Sequence, residues 1–167
     1  SKIKNKDIIL AFPSNGIHSN GISLIRKIIS EKKINLNKNA FLKSELLKPT
    51  KIYSKIILNL HKKKLLNGAA HITGGGLIDN ILRVIPKNYQ IKINLKKIKS
   101  KKIFSWINRF VEHDEMLNTF NCGVGFCVIL PKENITKVKK FFSKSYEPYE
   151  IGFVSKGGKK VNLFNKL

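Results

Sequence analysis

Short apolar runs alternate along this chain with segments whose apolar residues recur at helical spacing. Val124–Leu130 is an unbroken apolar run and predicts a strand in the middle of a sheet, whereas Tyr89–Leu95 alternates apolar and polar residues and predicts a strand with one wet face. Ser19–Lys33 instead carries isoleucines at helical spacing. A chain that interleaves strands and helices in this way folds as a layered α/β or α+β domain, and central strands covered on both sides favour three layers.

Turn and cap residues set the expected connections between these elements. Lys156–Lys159 contains two glycines and predicts a hairpin between strands at Glu150–Ser155 and Lys160–Phe164. Ser19 or Asn20 is expected to cap the first helix, and Thr50 a later one whose apolar face includes Ile52. The 167 residues fit a single domain, residues 1–167. The chain lacks an initial Met and a strand-like run begins almost at once, so we expect a piece of a longer protein.

The formal charge of +23 is the largest compositional anomaly. It is compatible with binding to a polyanion. However, Arg26, Arg83 and Arg109 are the only arginines among 33 basic residues, and nucleic-acid readers favour arginine. Lysine, isoleucine and asparagine share A/T-rich codons, so base bias in the genome explains the charge better than a nucleic-acid partner does. No apolar run is long enough to span a bilayer.

The two cysteines predict a reducing compartment. Cys122 and Cys127 lie five residues apart in an expected strand, which would place them on opposite faces and prevent them from pairing. No further metal ligands lie near them in the sequence. We therefore expect two buried free thiols in a cytoplasmic protein.

Residues 14–21 form the first segment that can carry chemistry. They connect an expected strand to an expected helix, where free backbone N–H groups and the helix dipole favour an anion. Ser14, Ser19 and Asn20 add side-chain donors, and His18 can exchange a proton near neutral pH. A simple helix-capping turn is an equally frequent use of such a loop.

His71–Leu77 is the second such segment, and it contains three consecutive glycines, Gly74–Gly76. Glycine loses more backbone entropy on folding than other residues do. Three glycines in a row are therefore expected where a ligand must approach the backbone closely. The segment is neither a Walker A loop nor a dinucleotide-binding fingerprint, so it suggests a phosphate or ribose contact, the alternative being a tight turn. His71 is as readily structural as catalytic.

The third segment, Thr119–Gly125, leads into the central apolar strand. Gly123 and Gly125 leave room there for something packed closely, and a helix is favoured slightly over a ligand. The ten acidic residues form no paired-carboxylate site for Mg²⁺, and Asp79 stands alone near the glycines. The loops can bind phosphate, but no carboxylates that could bind a metal ion accompany them. The metal-binding part of the site is therefore expected to lie elsewhere.

These segments, in this order, resemble the carboxy-terminal domain of the phosphoribosylformylglycinamidine cyclo-ligase (AIR synthetase) family. The resemblance runs from Asp7 to Val154 and is carried by Ser14–Lys27, Leu46–Lys55, His71–Pro86 and Glu115–Gly125. Related ATP-using families share parts of these motifs, namely FGAM synthetase, selenophosphate synthetase, thiamine-monophosphate kinase and a hydrogenase-maturation protein. The resemblance implies an α+β fold with three α/β/α layers, a mixed sheet and a partly ferredoxin-like topology.

The resemblance also implies a ligase of purine biosynthesis that uses ATP and Mg²⁺ to convert FGAM to aminoimidazole ribotide, releasing ADP and phosphate. The amide oxygen is phosphorylated, a nitrogen closes the imidazole ring, and phosphate departs. In this family an amino-terminal domain carries much of the ATP and metal site and forms the dimer contact. The 167 residues alone are thus expected to be inactive, to hold no metal, and to function with that domain in a cytoplasmic homodimer.

Site residues carry over by position. His18 is the expected catalytic residue for proton transfer. The residues expected to bind substrate or phosphate are Ser14, Ser19, Asn20, Gly21, Thr73, Gly74, Gly75, Gly76 and, as a weaker contact, Asn121. The chain departs from the family pattern where Asn15 replaces a usual Ser, Lys51 a usual Arg, Asp79 a usual Glu, Leu82 a usual Pro, and Leu117-Asn118 a common Tyr-Arg.

Two alternatives remain at this point. One is the carboxy-terminal domain of a related ATP-using enzyme of the FGAM synthetase or selenophosphate synthetase type. The other is a basic module that binds polyanions.

Overall fold

The computed structural model describes residues 2–166, apart from the side chain of Ser145, and in this range it contains six strands and seven α-helices. The strands are β1 (Ile8–Pro13), β2 (Gly68–His71), β3 (Tyr89–Asn94), β4 (Val124–Leu130), β5 (Tyr149–Lys156) and β6 (Lys160–Phe164). The helices are α1 (Ile22–Glu31), α2 (Ala40–Leu46), α3 (Ser54–Lys62), α4 (Gly76–Leu82), α5 (Lys102–Ile107), α6 (His113–Thr119) and α7 (Ile135–Lys139). Short 3₁₀ helices lie at Leu36–Lys38, Leu95–Lys97, Lys132–Asn134 and Lys144–Tyr146.

All six strands form one mixed sheet in the order β2-β4-β1-β5-β3-β6. Neighbouring strands are antiparallel, except that β3 and β6 are parallel. The apolar run of β4 lies between β2 and β1, as expected of an inner strand.

Helices cover both faces of this sheet. Side chains alternate along β1, so Ile9 and Ala11 enter a larger core while Leu10 and Phe12 enter a smaller one. Helices α1, α2, α4, α5 and α6 contribute to the larger core, and α3 and α7, through Leu60 and Val138, to the smaller. The mixed sheet between two helical layers confirms the predicted α+β class.

The predicted hairpin of the last two strands is wrong. β5 and β6 do run in opposite directions around Lys156–Lys159, but β3 lies between them and bonds to both. The turn residues predict a reversal of the chain and do not specify which strand becomes the neighbour. Ile91 and Ile93 of β3 are fully buried, which favours an inner position for that strand.

The predicted helix caps are also wrong. Gly21, with φ 66°, occupies the cap position of α1, and Tyr53 occupies that of α3; neither helix has a side-chain cap. Ile52 lies outside α3 with 83% of its surface exposed. The side chain of Asn20 makes a long-range hydrogen bond instead, which a local sequence rule does not foresee.

Both thiols are free and buried, as predicted. They do not lie on opposite faces, however, because both Cys122 and Cys127 pack in the larger core. Cys122 precedes β4 and has φ 50°, so strand alternation does not apply to it. Burial raises the pKa of Cys122 to about 12.

Among the described helices, none is both long enough and apolar enough to cross a membrane.

Candidate functional site

Three loops meet at one end of the sheet. β1 and β2 run in the same direction on either side of antiparallel β4, with Pro13 opposite Val124 and His71 opposite Phe126. The loops that follow β1 and β2 and the loop that precedes β4 are therefore neighbours. We call residues 14–21 the histidine loop and residues 72–76 the glycine loop. The two are joined directly, because Asn20 Nδ2 donates to the Thr73 carbonyl at 2.6 Å.

Asn121 anchors the histidine loop from the β4 side. Its side chain is fully buried, and its Nδ2 donates to the carbonyls of Gly16 (3.1 Å) and Ile17 (3.0 Å). Its Oδ1 accepts the backbone N–H of Gly123 at 2.9 Å. Asn121 thus forms three hydrogen bonds within the protein, and its amide holds the histidine loop.

His18 is buried, with 7% of its surface exposed, and its backbone has φ 56°. Its Nε2 lies 2.7 Å from Asn15 Oδ1, and its Nδ1 is buried without a hydrogen-bond partner among residues 2–166. The ring is inserted against the strand at Gly125, where a Cβ would lie 2.8 Å from His18 Cε1. A side chain at position 125 would displace the imidazole.

The surroundings of His18 disfavour its charged form. The pKa of His18 is lowered from 6.5 to about 4, chiefly by burial and to a smaller extent by the nearby His71 and Lys51. Burial also lowers the pKa of Lys51, as does the neighbouring Lys101. At neutral pH the site therefore holds an uncharged imidazole close to cationic side chains, an environment that suits an anionic ligand and a proton acceptor.

Residues 49–53 lie over the histidine loop and were not predicted as part of the site. Asn15 Nδ2 donates to the Pro49 carbonyl at 2.8 Å, and the Tyr53 hydroxyl donates to the Pro13 carbonyl at 3.0 Å. The Tyr53 ring lies 6.1 Å from that of His18. Burial raises the pKa of Tyr53, so its hydroxyl stays protonated as this bond requires.

His71 lies at the open side of this cluster. It is exposed, its ring stacks on Phe126 with centroids 5.5 Å apart, and it is 6.0 Å from the Tyr53 ring. The site therefore presents two imidazoles in contrasting states: His18 is buried within the loop, whereas His71 is accessible at the strand end.

Asn80 organises the glycine loop, another role that the sequence did not reveal. Its Nδ2 lies within hydrogen-bonding distance of the carbonyls of Thr73 (3.2 Å), Gly74 (3.2 Å) and Gly76 (2.7 Å). The Thr73 hydroxyl lies 3.2 Å from Asn80 Oδ1. Asn80 is buried on α4, whereas Thr73 and Gly74 are exposed.

Backbone conformation and available space constrain the three glycines of this loop differently. Gly75 and Gly76 have φ of 92° and 61°, and a Cβ on Gly76 would also collide with the Leu117 carbonyl. Gly74 has neither constraint, since a Cβ there would meet no atom within 4 Å. The open backbone at Gly74 is the part of the loop that internal packing does not explain.

The remaining predicted binding residues lie at the same end of the sheet but differ in exposure and in their contacts. Ser14 is buried, and its Oγ has no hydrogen-bond partner in the described part of the chain. Ser19 is exposed, with its Oγ 3.4 Å from Thr50 Oγ1. Gly21 lies against the Phe120 ring, where a Cβ would collide with it. Of these, only Ser19 offers an accessible side-chain donor.

The described residues contain no group of three His, Cys, Asp or Glu side chains arranged to hold a metal ion. Asp79 faces Gly75, with its Oδ2 3.0 Å from the position of a Cβ there, but it is a single carboxylate. Mg²⁺ in ATP-using sites takes carboxylates together with substrate phosphates. The described residues do not by themselves fit a magnesium site.

Comparison with known proteins places this arrangement in a family. Residues 4–163 match the family described as AIR synthase related protein, C-terminal domain. The match covers nearly the whole chain, and the chain therefore belongs to that family.

The curated relatives are phosphoribosylformylglycinamidine cyclo-ligases. The chain is 40% identical over 165 residues to the one from Clostridium novyi (strain NT), covering 98% of this chain and 50% of that protein. It is 42% identical over 172 residues to the one from Alkaliphilus oremlandii, with the same coverage. The chain thus spans about half the length of the curated relatives it matches.

Solved structures share the fold at low sequence identity. The thiamine monophosphate kinase from Aquifex aeolicus is 17% identical with a TM-score of 0.59, covering 99% of this chain and 52% of that one. The structure described as AaThiL complexed with AMPPCP and TMP is 16% identical with a TM-score of 0.57, covering 98% and 49%. At these identities the likeness concerns the fold.

Proposed function

We propose that this chain is the carboxy-terminal half of an ATP-dependent phosphoribosylformylglycinamidine cyclo-ligase, which converts FGAM to aminoimidazole ribotide with release of ADP and phosphate in purine biosynthesis. The observation that carries the proposal is the 40% identity to a cyclo-ligase across 98% of the chain. The direct bond between Asn20 and Thr73 supports it, since it joins the two loops that the reaction needs in one place.

In this proposal the chain's own residues bind and orient the substrate and exchange a proton. His18, uncharged at neutral pH, is the proton-transfer residue. The exposed Ser19, Thr73 and Gly74 offer a hydroxyl, a second hydroxyl and open backbone to substrate or phosphate. Asn20 and Asn121 fix the loops through side-chain hydrogen bonds, and Gly21 packs against the Phe120 ring. Ser14 stays a proposed contact to substrate or phosphate, since its Oγ has no partner in the described part of the chain.

ATP supplies the phosphoryl group that turns the amide oxygen into a leaving group. The related fold of AaThiL, which was solved with AMPPCP and TMP, supports nucleotide binding within this fold family. Because the described carboxylates do not fit Mg²⁺, most of the ATP and magnesium contacts are assigned to the other half of the enzyme.

Exposed apolar side chains support docking of that other half. Ile52 and Leu58 expose 83% and 57% of their surfaces and line one groove, and Ile52 directly precedes Tyr53 of the site. Large apolar side chains that share an exposed groove mark an interaction surface. We assign this groove to the half of the curated relatives that the 167 residues do not span. The complete enzyme is proposed to be a cytoplasmic homodimer.

A chimera tests the proposal. The 167 residues replace the matching half of the Clostridium novyi cyclo-ligase, and the fusion is expressed in a purine auxotroph that lacks this enzyme. We expect growth without added purine, and formation of aminoimidazole ribotide from FGAM and ATP by the purified chimera.

His18→Ala in the chimera should reduce kcat by about two to four orders of magnitude if His18 transfers a proton. His61→Ala, which changes an exposed histidine on α3, is the matched control and should grow normally. A soluble, folded chimera that forms no aminoimidazole ribotide would contradict the assignment.

The structural likeness to thiamine monophosphate kinases favours a second candidate, a related ATP-using enzyme with another substrate. Phosphate or ADP release by the chimera across FGAM, thiamine monophosphate and selenide separates the two. The charge of +23 is compatible with a polyanion-binding module, although base bias in the genome explains it better. That reading requires RNA or DNA binding that weakens steeply with salt and persists at about 0.15 M salt.

A further inference from the structure

The side chain of Asn15 bridges His18 and the segment that lies over it. Its Nδ2 donates to the Pro49 carbonyl at 2.8 Å, and its Oδ1 lies 2.7 Å from His18 Nε2. A backbone carbonyl can only accept a hydrogen bond, so the orientation of the Asn15 amide is fixed by Pro49. Its oxygen therefore faces His18, and an amide oxygen also only accepts. His18 Nε2 must then carry the proton that it donates.

We propose that Asn15 is a positioning residue that holds His18 in the Nε2–H tautomer, so that His18 acts as a proton acceptor through Nδ1. The tautomer follows from hydrogen bonds within this chain. The role as acceptor in the reaction rests on the proposed function.

The remaining nitrogen is suited to that role. Nδ1 is buried and has no partner in the part of the chain that the structure describes. Its lone pair is therefore not used by any described residue. Since Nδ1 is buried, a donor on the ligand reaches it only when the histidine loop shifts as the ligand binds. When an N–H or O–H bond of the ligand breaks, its proton forms a bond to Nδ1. The resulting imidazolium keeps its Nε2–H bond to Asn15, and the ligand atom retains the electron pair.

The groups around the ring agree with a neutral acceptor. Lys51 from the overlying segment and His71 from β2 are the charged or titratable groups that act on His18, and both disfavour a cation there. Tyr53 contributes an uncharged ring at 6.1 Å, and β4 contributes Gly125. A carboxylate beside Nε2 would stabilise the imidazolium, whereas the Asn15 amide is neutral.

A serine at position 15 would not fix the tautomer of His18. The two ends of an amide have opposite hydrogen-bonding character, and Pro49 determines which end faces His18. A serine hydroxyl rotates and can donate to an imidazole nitrogen or accept from it, so it permits either tautomer. Asn15→Ser therefore tests whether the oriented amide determines the tautomer.

The test is nitrogen NMR of the ¹⁵N-labelled 167-residue chain, in which long-range couplings distinguish protonated from unprotonated ring nitrogens. His18→Gln assigns the His18 signals among the four histidines. We expect His18 to be a single Nε2–H tautomer at pH 7. A wild-type Nδ1–H tautomer, or an equal mixture, overturns the proposal.

Three variants sharpen the result, with backbone amide spectra as the check of folding. Asn15→Ser should give a mixture of tautomers. Asn15→Asp keeps an acceptor for Nε2, so it should keep the Nε2–H tautomer while raising the pKa of His18. Asn37→Ser, at an exposed asparagine in a 3₁₀ helix, should change nothing. If Asn15→Ser retains a pure Nε2–H tautomer, or Asn15→Asp loses it, Asn15 does not determine the tautomer of His18.

The chimera then tests the consequence for catalysis. Asn15→Ser should lower kcat about 3- to 10-fold with little change in KM, as expected when a fraction of the histidine is in the unproductive tautomer. An unchanged kcat, with a mixed tautomer by NMR, overturns the acceptor role. If the chimera has no cyclo-ligase activity while the NMR spectra show the expected tautomer, the proposed function is refuted. The proposal that Asn15 determines the tautomer of His18 is then still supported.

Discussion

The histidine loop and the glycine loop both connect a strand to a helix at the same end of the sheet, yet they are built in opposite ways. Most of the histidine loop is buried; Asn121 binds two of its carbonyls, and Asn15 within the loop binds His18 Nε2. The glycine loop exposes Thr73 and Gly74, and Asn80 binds three carbonyls of the loop. The first loop fixes one side chain in place, and the second leaves open backbone facing solvent.

This difference separates two tasks that a binding site must perform. A group that transfers a proton has to be held in one orientation and one protonation state, and burial achieves both. A surface that receives a ligand has to remain accessible, with little of its own side chain in the way. Substitutions in the two loops should therefore affect stability and activity in different proportions.

The largest expected effect is that of Asn121→Ala, which removes the anchor of the histidine loop. Two carbonyls and one N–H would lose their partner in a fully buried setting, so we expect a loss of about 4 kcal/mol in the free energy of unfolding. Urea unfolding measures it. Asn118→Ala, at an exposed asparagine in α6, is the control and should stay within about 0.5 kcal/mol. A loss below about 1 kcal/mol would mean that the loop does not depend on this anchor.

The next effect is on pH dependence. The folded pKa of His18 is about 4, below its ordinary 6.5, so the unfolded chain binds more protons between these values. The free energy of unfolding should therefore fall as pH decreases from 6.5 towards 4, by at most about 3 kcal/mol from this residue. His18→Gln should remove the contribution of His18 to the pH dependence of the free energy of unfolding. His61→Gln, at an exposed histidine, should leave that pH dependence unchanged. Equal slopes for wild type and His18→Gln would contradict a buried neutral imidazole.

Asn80→Ala should have a smaller effect than Asn121→Ala, although three carbonyls lose a partner. Thr73 and Gly74 are exposed, so water can replace part of what the amide provides, and we expect a loss of about 2 kcal/mol. The same urea experiment compares the two variants directly. A loss equal to that of Asn121→Ala would show that the glycine loop is as dependent on internal bonds as the histidine loop.

The smallest effect on stability is expected at Gly74. Gly74→Ala meets no neighbouring atom and should change the free energy of unfolding by less than about 0.5 kcal/mol, whereas Gly75→Ala, at φ 92°, should cost about 1–2 kcal/mol. In the chimera, however, Gly74→Ala should raise KM, because its methyl group occupies the approach to the backbone. An unchanged KM would remove Gly74 from the proposed binding surface.

Much of the fold was predictable because hydrophobic periodicity reports burial directly. The bounds of β4 and β6 were predicted as observed, since each is a patterned segment between clear breakers. The position of β3 between β5 and β6 was not, because strand order depends on contacts between distant residues. The failed caps of α1 and α3 have the same origin, as Asn20 is used in a bond across the site.

The sequence predicted which loops form the site better than it predicted what each residue does there. The glycine and histidine motifs identified the segments that meet, but they did not predict the internal hydrogen bonds of Asn121 and Asn20. The contacts of these two residues with substrate stay predictions. Asn15, Tyr53 and Asn80 were missed because an isolated asparagine or tyrosine carries no local signal of a long-range bond. For Asn15 and Tyr53 a clue existed, since one departs from the family pattern and the other lies in the proline-containing segment typical of it.

The parallel pairing of β6 with β3 has a consequence for biogenesis. β6 pairs with a strand made some seventy residues earlier, as the pairing of Gln90 with Lys160 shows. During synthesis, after β5 has paired with β3, one row of amide and carbonyl groups of β3 stays unpaired until β6 has left the ribosome. A product that terminates before Lys160 would keep that row exposed, and it is the species we expect to self-associate.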